Sequence, residues 1–383
     1  AGTIPAGRQL HYDNLCAQAR EDVSLQPVPS YATVWRYLKA RGWHRQKRPQ
    51  RDTPGGRQAA EKLAHREIRS YEAEYTHSLW HADFHQGSRS VLMATGRWVK
   101  PLLLCFMDDH SRLVCHLQWY LGETAEVLVH GLTQALQKRG LPRALMTDNG
   151  AAMQADEFQS GLHSLGILHE NTLPYSPYQN AKQETFWATL EGRLMAMLEG
   201  QQALTLERLN LLTQAWVEQG YHRHRHTELG CTPLQRYLDA ANVGRECPGS
   251  EALRQAFRCT VTRKQRRSDG TISLDGRRLE IPSRYRHLET PTIRYARWDL
   301  SAVELIDPRT LQHLCPLYPL DKAANATGHR RALDTSEEQI ELPFAAPTGA
   351  ADELPPLLRE YLAEYAATGQ PPAYLPHAPE DRS

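Results

Sequence analysis

Apolar residues recur every second position in some stretches of this chain and every third or fourth in others, and the two rhythms divide it into blocks. Helical periodicity runs from Leu10 to Arg20. It returns after a proline-containing loop from Ser30 to Gly42, where Ser30 is placed to cap and Tyr31, Val34 and Leu38 share a stripe. PQRDTPGG at residues 49–56 reads as a linker that opens a further helix up to about Tyr75. A denser block follows. Strands are predicted at Ser78–Gln86, Pro101–Asp108, Arg112–Tyr120, Ala144–Thr147 and Ile167–Leu173, and helices at Thr124–Arg139, Asp156–Leu165 and Asn180–Leu198. Three successive strands and then an alternation of helix and strand predict a mixed sheet with helices on its faces, an α/β layer architecture. After a helix at Thr205–Gln219, short β-prone runs separated by Asp-Gly and Asp-Pro turns predict a small β-barrel between Phe257 and about Leu317. Beyond Asp321 the chain is rich in Ala, Pro and acid and reads as a flexible tail with one helix-capable stretch, Leu354–Ala367.

These blocks predict a multi-domain chain: a helical domain at 1–50, a linker and helix at 51–76, an α/β core at 77–240, a small β-barrel at 250–320 and an acidic tail at 321–383. Net charge is only +1 over 383 residues, but its distribution is uneven. Seven Lys or Arg and no acid lie between Arg36 and Arg51, whereas ten acids and two arginines lie from Asp334 to the end. A basic front and an acidic tail are expected where one part meets phosphate and another does not. The second helix therefore reads as the recognition helix of a helix-turn-helix, with Tyr31, Arg36, Lys39, Arg41, Arg45, Lys47 and Arg48 as DNA contacts; a solvated basic helix is the alternative. Seven scattered cysteines without a C-x-x-C pair predict reduced thiols and a cytoplasmic protein, bacterial and nucleoid-associated when DNA-bound. No apolar run is long enough to suggest a membrane partner.

Three acids stand out. Asp83 interrupts the apolar strand SLWHADFH, Asp148 follows the apolar strand ALMT, and Glu184 opens a helix whose Trp187, Leu190, Leu194 and Met197 form a core-facing stripe, on the same inward side as the acid. Singly, each has a structural explanation: a strand-end hydrogen bonder, an Asn-Gly turn, a first-turn acid favoured by the helix dipole. Jointly they suit a hard cation. Mg²⁺ takes oxygen ligands and keeps several waters, and two such ions roughly 3.5–4 Å apart serve both oxygens of an in-line phosphoryl displacement.

The order Asp, Asp, Glu, with 35 residues between Asp148 and Glu184, resembles the catalytic triad of retroviral integrases and related insertion-sequence (DDE) transposases. WHADF around Asp83, DDHSR from Asp108, TDNG from Thr147, PYSPYQNAKQE ending at Glu184 and YHRHRHTELGCTP ending at Pro233 agree with it in order, over roughly residues 78–233. The resemblance implies a ribonuclease H-like catalytic core and DNA cleavage followed by strand transfer. It implies that Asp83, Asp148 and Glu184 are both catalytic residues and metal ligands, with two Mg²⁺ ions and Mn²⁺ able to replace them. The flanks resemble more loosely the helix-turn-helix module and C-terminal barrel of Mu-like transposases. The zinc module of retroviral integrases is missing, and Ala181 stands where the family usually has glycine. A nuclease of the same fold that does not join, and a non-catalytic DNA-binding regulator, are the rival functions.

Other candidates are weighed against structural roles. Asp108 and Asp109 are expected to cap a strand-to-strand turn or pair with Arg112. His81 and His85 alternate with Asp83 and so face its side, as packed histidines. Tyr178, Gln179, Asn180 and Lys182 precede Glu184 in a loop and helix start suited to phosphate, with Lys182 the preferred DNA contact. Arg223 and Arg225 alternate with His222, His224 and His226 in a backbone-binding segment, and Arg263, Lys264, Arg266 and Arg267 form a basic arm on the barrel. The expected partners are element-end and target DNA and further copies of the chain assembled on DNA. An AAA+ ATPase is expected to dock on the tail stripe of Leu358, Leu362 and Tyr365, as the family resemblance suggests.

Overall fold

The computed structural model describes residues 7–43, 72–172, 181–201, 204–322 and 354–370. Two helices come first, α1 (Arg8–Glu21) and α2 (Tyr31–Ala40), joined through a short turn of 3-10 helix at Val23–Leu25. The Ser30 hydroxyl accepts from the backbone N–H of Thr33, the cap expected from sequence. The predicted helix up to Tyr75 falls mostly outside the described residues, and residues 72–75 are not helical.

The α/β block is built on five strands: β1 (Leu79–Gln86), β4 (Leu102–Asp108), β5 (Val114–Tyr120), β6 (Ala144–Thr147) and β7 (Leu168–Asn171), with a two-stranded hairpin of β2 (Val91–Leu92) and β3 (Trp98–Val99) that the apolar pattern did not reveal. The sheet order is β5-β4-β1-β6-β7. The β1-β4 and β4-β5 pairs are antiparallel, and β1-β6 and β6-β7 are parallel, which makes the predicted mixed sheet. Arg112 takes a φ of 60° in the turn before β5 instead of opening the strand.

Helix α3 (Ala125–Arg139) returns the chain between β5 and β6; Thr124 caps its start and Gly140, at φ 89°, lets the backbone leave it. Helix α5 (Ala181–Leu190) widens into a π-helical stretch at Glu191–Met195, and α6 (Leu206–Ala215) does the same at Trp216–Tyr221. Helix α4 (Asp156–Ser164), between β6 and β7 in the chain, belongs to a second unit. A short helix, α7 (Pro233–Asp239), follows with proline in its first turn and Thr232 as cap.

Both faces of the central strands are buried, which explains their unbroken apolar runs. On one face Leu103, Cys105 and Met107 of β4 join Leu117 and Trp119 of β5, Phe186, Trp187 and Leu190 of α5, and Leu209, Leu212 and Trp216 of α6. On the other, Leu104 and Phe106 lie against Gly131 of α3, where a side chain would come within 2.6 Å of Leu104. Each fully buried apolar side chain is worth roughly 1.5–3 kcal/mol, so this cluster is the main stabilising element of the core.

The last helix, α9 (Pro356–Ala367), forms in the helix-capable stretch of the tail, the rest of which, 323–353 and 371–383, lies outside the described residues. Leu354, Leu357 and Leu358 belong to the same cluster as Trp216 and Leu10 of α1. Leu358 is 0% and Tyr365 4% exposed. Arg20–Glu360 and Arg359–Glu21 pairs at 2.5 Å join α9 to α1. Two of the three residues of the proposed ATPase-docking stripe are thus already covered by this chain's own core, and the third, Leu362, packs against the same cluster, so such a partner is not supported.

The described residues divide into two compact units, the second comprising residues 155–164 and 248–322. It holds α4, α8 (Ser250–Ala256) and six antiparallel strands: β8 (Cys259–Thr262), β9 (Thr271–Leu274), β10 (Arg277–Glu280), β11 (Thr292–Ala296), β12 (Asp299–Ile306) and β13 (His313–Pro319), in the order β8-β11-β12-β13-β10-β9. Ile272, Leu279, Ile293, Val303 and Leu305 fill its core. Strands β8 and β9 end its ladder, so the sheet is a half-barrel where the sequence predicted a small β-barrel. Bonds from Arg263 N to Pro291 O and from Arg266 N to Thr271 O carry the chain from one edge toward the other.

Candidate active site

Strand β1 presents His81, Asp83 and His85 on one side by simple alternation, and each of the three is engaged by α5 or by a residue tied to it. Asp83 Oδ2 accepts the indole N–H of Trp187 at 3.3 Å. The Trp187 ring stacks on His85 with centroids 4.9 Å apart and an interplanar angle of 11°. His85 Nε2 in turn lies 3.2 Å from Glu191, which also accepts from Ser88. His81 Nε2 lies 2.7 Å from Asp109. Burial first, and then the neighbouring charge of Asp148, push the Asp83 carboxyl up to about 6, against the opposing donation from Trp187.

Asp148 reaches the same place from the adjacent strand. The last paired couple of β1 and β6 is His81↔Met146, so Asp83 and Asp148 each stand two residues beyond it on neighbouring parallel chains. One Asp148 oxygen accepts the backbone N–H of Gly150 at 2.9 Å. A third carboxylate is close by that the sequence did not single out. A side chain at Gly150 would meet both Asp148 Oδ1 and Glu123 Oε1 at 3.0 Å. Burial, and then Asp148, raise the Glu123 carboxyl. The only sequence signal is that Glu123 immediately precedes the cap of α3.

Glu184 lies in the first turn of α5, but the buried side of that helix is Gln183, Phe186, Trp187 and Leu190. Glu184 is exposed on the flank of that stripe, not on its inward side as its spacing from Trp187 predicted. Three residues along a helix turn the direction by about 60° from a full circle, enough to leave the buried face. Asp83 and Asp148 are brought together, then, and Glu184 stands on the helix that is hooked to Asp83 through Trp187. Carboxylates are hard oxygen donors and suit Mg²⁺. Among the described residues, however, no group of three or more His, Cys, Asp or Glu is gathered tightly enough to hold a metal ion.

Asp108 and Asp109 take the structural roles expected of them. Asp108 accepts from His77 N, Ser111 N and Ser111 Oγ, all buried. Asp109 accepts from Ala73 N at 2.7 Å and also pairs with Lys182. Burial alone would raise its pKa, but His81 and Lys182 outweigh that and hold it well below the usual carboxylate range. Lys182 is therefore an internal ion-pair partner, 14% exposed, where the sequence had suggested a DNA contact.

The remaining candidates are dispersed. Tyr31, Arg36, Lys39 and Arg41 are exposed on and just after α2, with the Arg41 guanidinium 4.9 Å from the Tyr37 ring centre. Arg45, Lys47, Arg48, Tyr178, Gln179 and Asn180 lie outside the described residues. Arg223 is exposed, and Arg225 braces its turn by donating to Gly230 O at 2.9 Å. His222 is fully buried between Val114 N and Glu218, a structural histidine. In the half-barrel Lys264 and Arg266 are exposed, Arg263 is half-buried beside Thr262 O, and Arg267 pairs with Glu289 at the surface. No described helix is long and apolar enough to cross a membrane.

Residues 75–177 match the model of the integrase core domain family. Over 78 residues the chain is 37% and 36% identical to the Gag-Pro-Pol polyproteins of two strains of Human T-cell leukemia virus 3; that stretch is 20% of this chain and 5% of each polyprotein. Among solved structures it is similar to the HTLV-2 integrase catalytic core domain in complex with magnesium (20% identity, 44% of this chain and 99% of that one, TM-score 0.34). It is also similar to the BIV integrase catalytic core domain (23%, 42% and 94%, TM-score 0.34) and to a chain of the simian T-cell lymphotropic virus intasome (17%, 81% and 99%, TM-score 0.39). Residues 75–177 of the chain thus carry an integrase core domain, with Asp83 inside β1 and Asp148 just past the end of the neighbouring strand β6.

Proposed function

We propose that this protein is a DNA transposase that cuts the end of a mobile element and joins the exposed 3′-hydroxyl to target DNA. The observation that carries the reading is the juxtaposition of Asp83, inside β1, and Asp148, just past the end of the neighbouring β6, in an integrase core domain, where burial and like charge make a cation welcome. Asp83 and Asp148 would hold Mg²⁺, with Glu184 supplying the third carboxylate from the flank of α5. Two such ions, or Mn²⁺ in their place, would supply activation of the attacking oxygen and stabilisation of the leaving one in an in-line displacement.

The protein's own groups do the positioning. Trp187 and His85 fix the α5 flank beside Asp83, and the apolar cluster beneath keeps the strand ends rigid. Exposed cations on α2 (Arg36, Lys39, Arg41), at Arg223 and Arg225, and on the half-barrel arm (Lys264, Arg266, Arg267) hold the DNA backbone by displacing its counterions, so binding weakens with salt. The helix-turn-helix role of α1 and α2 belongs to the same proposal. Two element ends must be handled together, so several copies of the chain assemble on DNA.

The test uses purified protein, Mg²⁺, a supercoiled plasmid, and labelled terminal DNA taken from the inverted repeats that flank the gene. Joined product is expected from the natural protein and not from Asp148→Asn. Hydrolysis without joined product makes the protein a nuclease of the same fold, and joining that survives Asp148→Asn refutes the site.

A further inference from the structure

We propose that Asp109 and Lys182 form a positioning pair that sets the first turn of α5, and with it Glu184, against the acids of the sheet; this rests on the transposase reading. The Asp109 side chain is fully buried and collects His81 Nε2 and Ala73 N, each at 2.7 Å, together with the Lys182 ammonium. The two partners sit on the elements that carry the acids. His81 precedes Asp83 by two residues on the same face of β1, and Lys182 lies in the same first turn of α5 as Glu184, on a different side of the helix. One carboxylate therefore spans the strand that carries the first acid and the helix turn that carries the third. One turn later Trp187 makes the second attachment, to Asp83 itself.

Energetics favour a geometric role over a stabilising one. Burying an ion pair costs about as much in desolvation as the attraction returns, so such a pair adds little net stability while fixing one arrangement. At a site that needs converging oxygens, displacement by about 1 Å can cost about a hundredfold in rate. Because Trp187 holds the next turn, losing Lys182 frees the start of the helix without releasing the rest.

The experiment compares Lys182→Met, Lys182→Arg and Asp109→Asn in the full-length protein. Two readouts are used: steady-state joining of labelled end DNA, and hydrogen exchange at Thr185 and Phe186, the first amides of α5 that bond back to helix carbonyls. Lys182→Met is expected to lower kcat by about tenfold or more with KM for DNA unchanged. Exchange at Thr185 and Phe186 should speed up while that at Leu190 holds. Lys182→Arg should restore most of both, and Asp109→Asn should reproduce the Met variant. Unchanged exchange in Lys182→Met overturns the pair. So does a loss confined to KM, which would make Lys182 a DNA contact. If the natural protein joins no DNA, the transposase reading fails, and the exchange measurement still decides whether the pair orders the helix.

Discussion

Trp187 donates its indole N–H to Asp83 across 3.3 Å while the same ring stacks on His85. One side chain thus ties α5 to two alternate residues of β1. Replacing it with phenylalanine keeps a ring against His85 and removes only the donor. The Trp187→Phe protein should lose about 1 kcal/mol of stability. Its Asp83 carboxyl should titrate higher still, since the hydrogen bond lowers that pKa. Comparing the pH midpoint of Mg²⁺ binding between the two proteins checks this, and a midpoint that does not move upward counts against it.

Asp83 itself sets a pH window. Its pKa in the folded chain is raised to about 6, by burial first. The folded state therefore binds more protons than the unfolded one between about pH 4 and 6, and stability without metal falls as pH rises through that range. A divalent cation displaces the proton. Stabilisation by Mg²⁺ in thermal melts should be small at pH 5, grow through about pH 6 and level off above pH 7. Equal stabilisation at pH 5 and pH 8 would remove Asp83 from the ligand set.

Leu358 tests the place of α9. It is completely buried in the cluster that includes Trp216 and Leu10. Leu358→Ala should cost about 2–5 kcal/mol, visible as a lower urea midpoint. A variant as stable as the natural protein would mean that the helix does not rest on this core.

Asp108 and Asp109 are adjacent, yet they should fail differently. Asp108→Ala strands three buried donors, His77 N, Ser111 N and Ser111 Oγ. It should destabilise the core by roughly 3–5 kcal/mol, with the remaining folded protein as active per molecule as before. Specific activity that falls with stability unchanged would move Asp108 into the working site.

The alternation of WHADFH made it legible that His81, Asp83 and His85 share a side, because a strand has a period of two whatever surrounds it. That the sheet is mixed was legible too, from three successive strands followed by alternating helix and strand, whereas the insertion of β1 between β4 and β6 was not. Glu123 was not legible. Its approach to Asp148 depends on how the turn after β5 meets the turn after β6, and nothing local records that meeting. Lys182 looked solvent-facing for the same reason, since only the fold brings a buried Asp109 beneath it.

By itself, the sequence determined the five main strands and the longer helices of the α/β block, the mixed character of its sheet, and the two aspartates, one within an apolar strand and one just after another, because these follow from short-range periodicity and from where apolar runs end. Only the tertiary structure decided that α9 completes the core beside α1, that the β-rich segment forms a half-barrel, and that Glu184 stands on the flank of α5. Periodicity names the face a helix or strand will bury. It carries no information about which distant face will cover it, and that choice is made by packing summed over the whole chain.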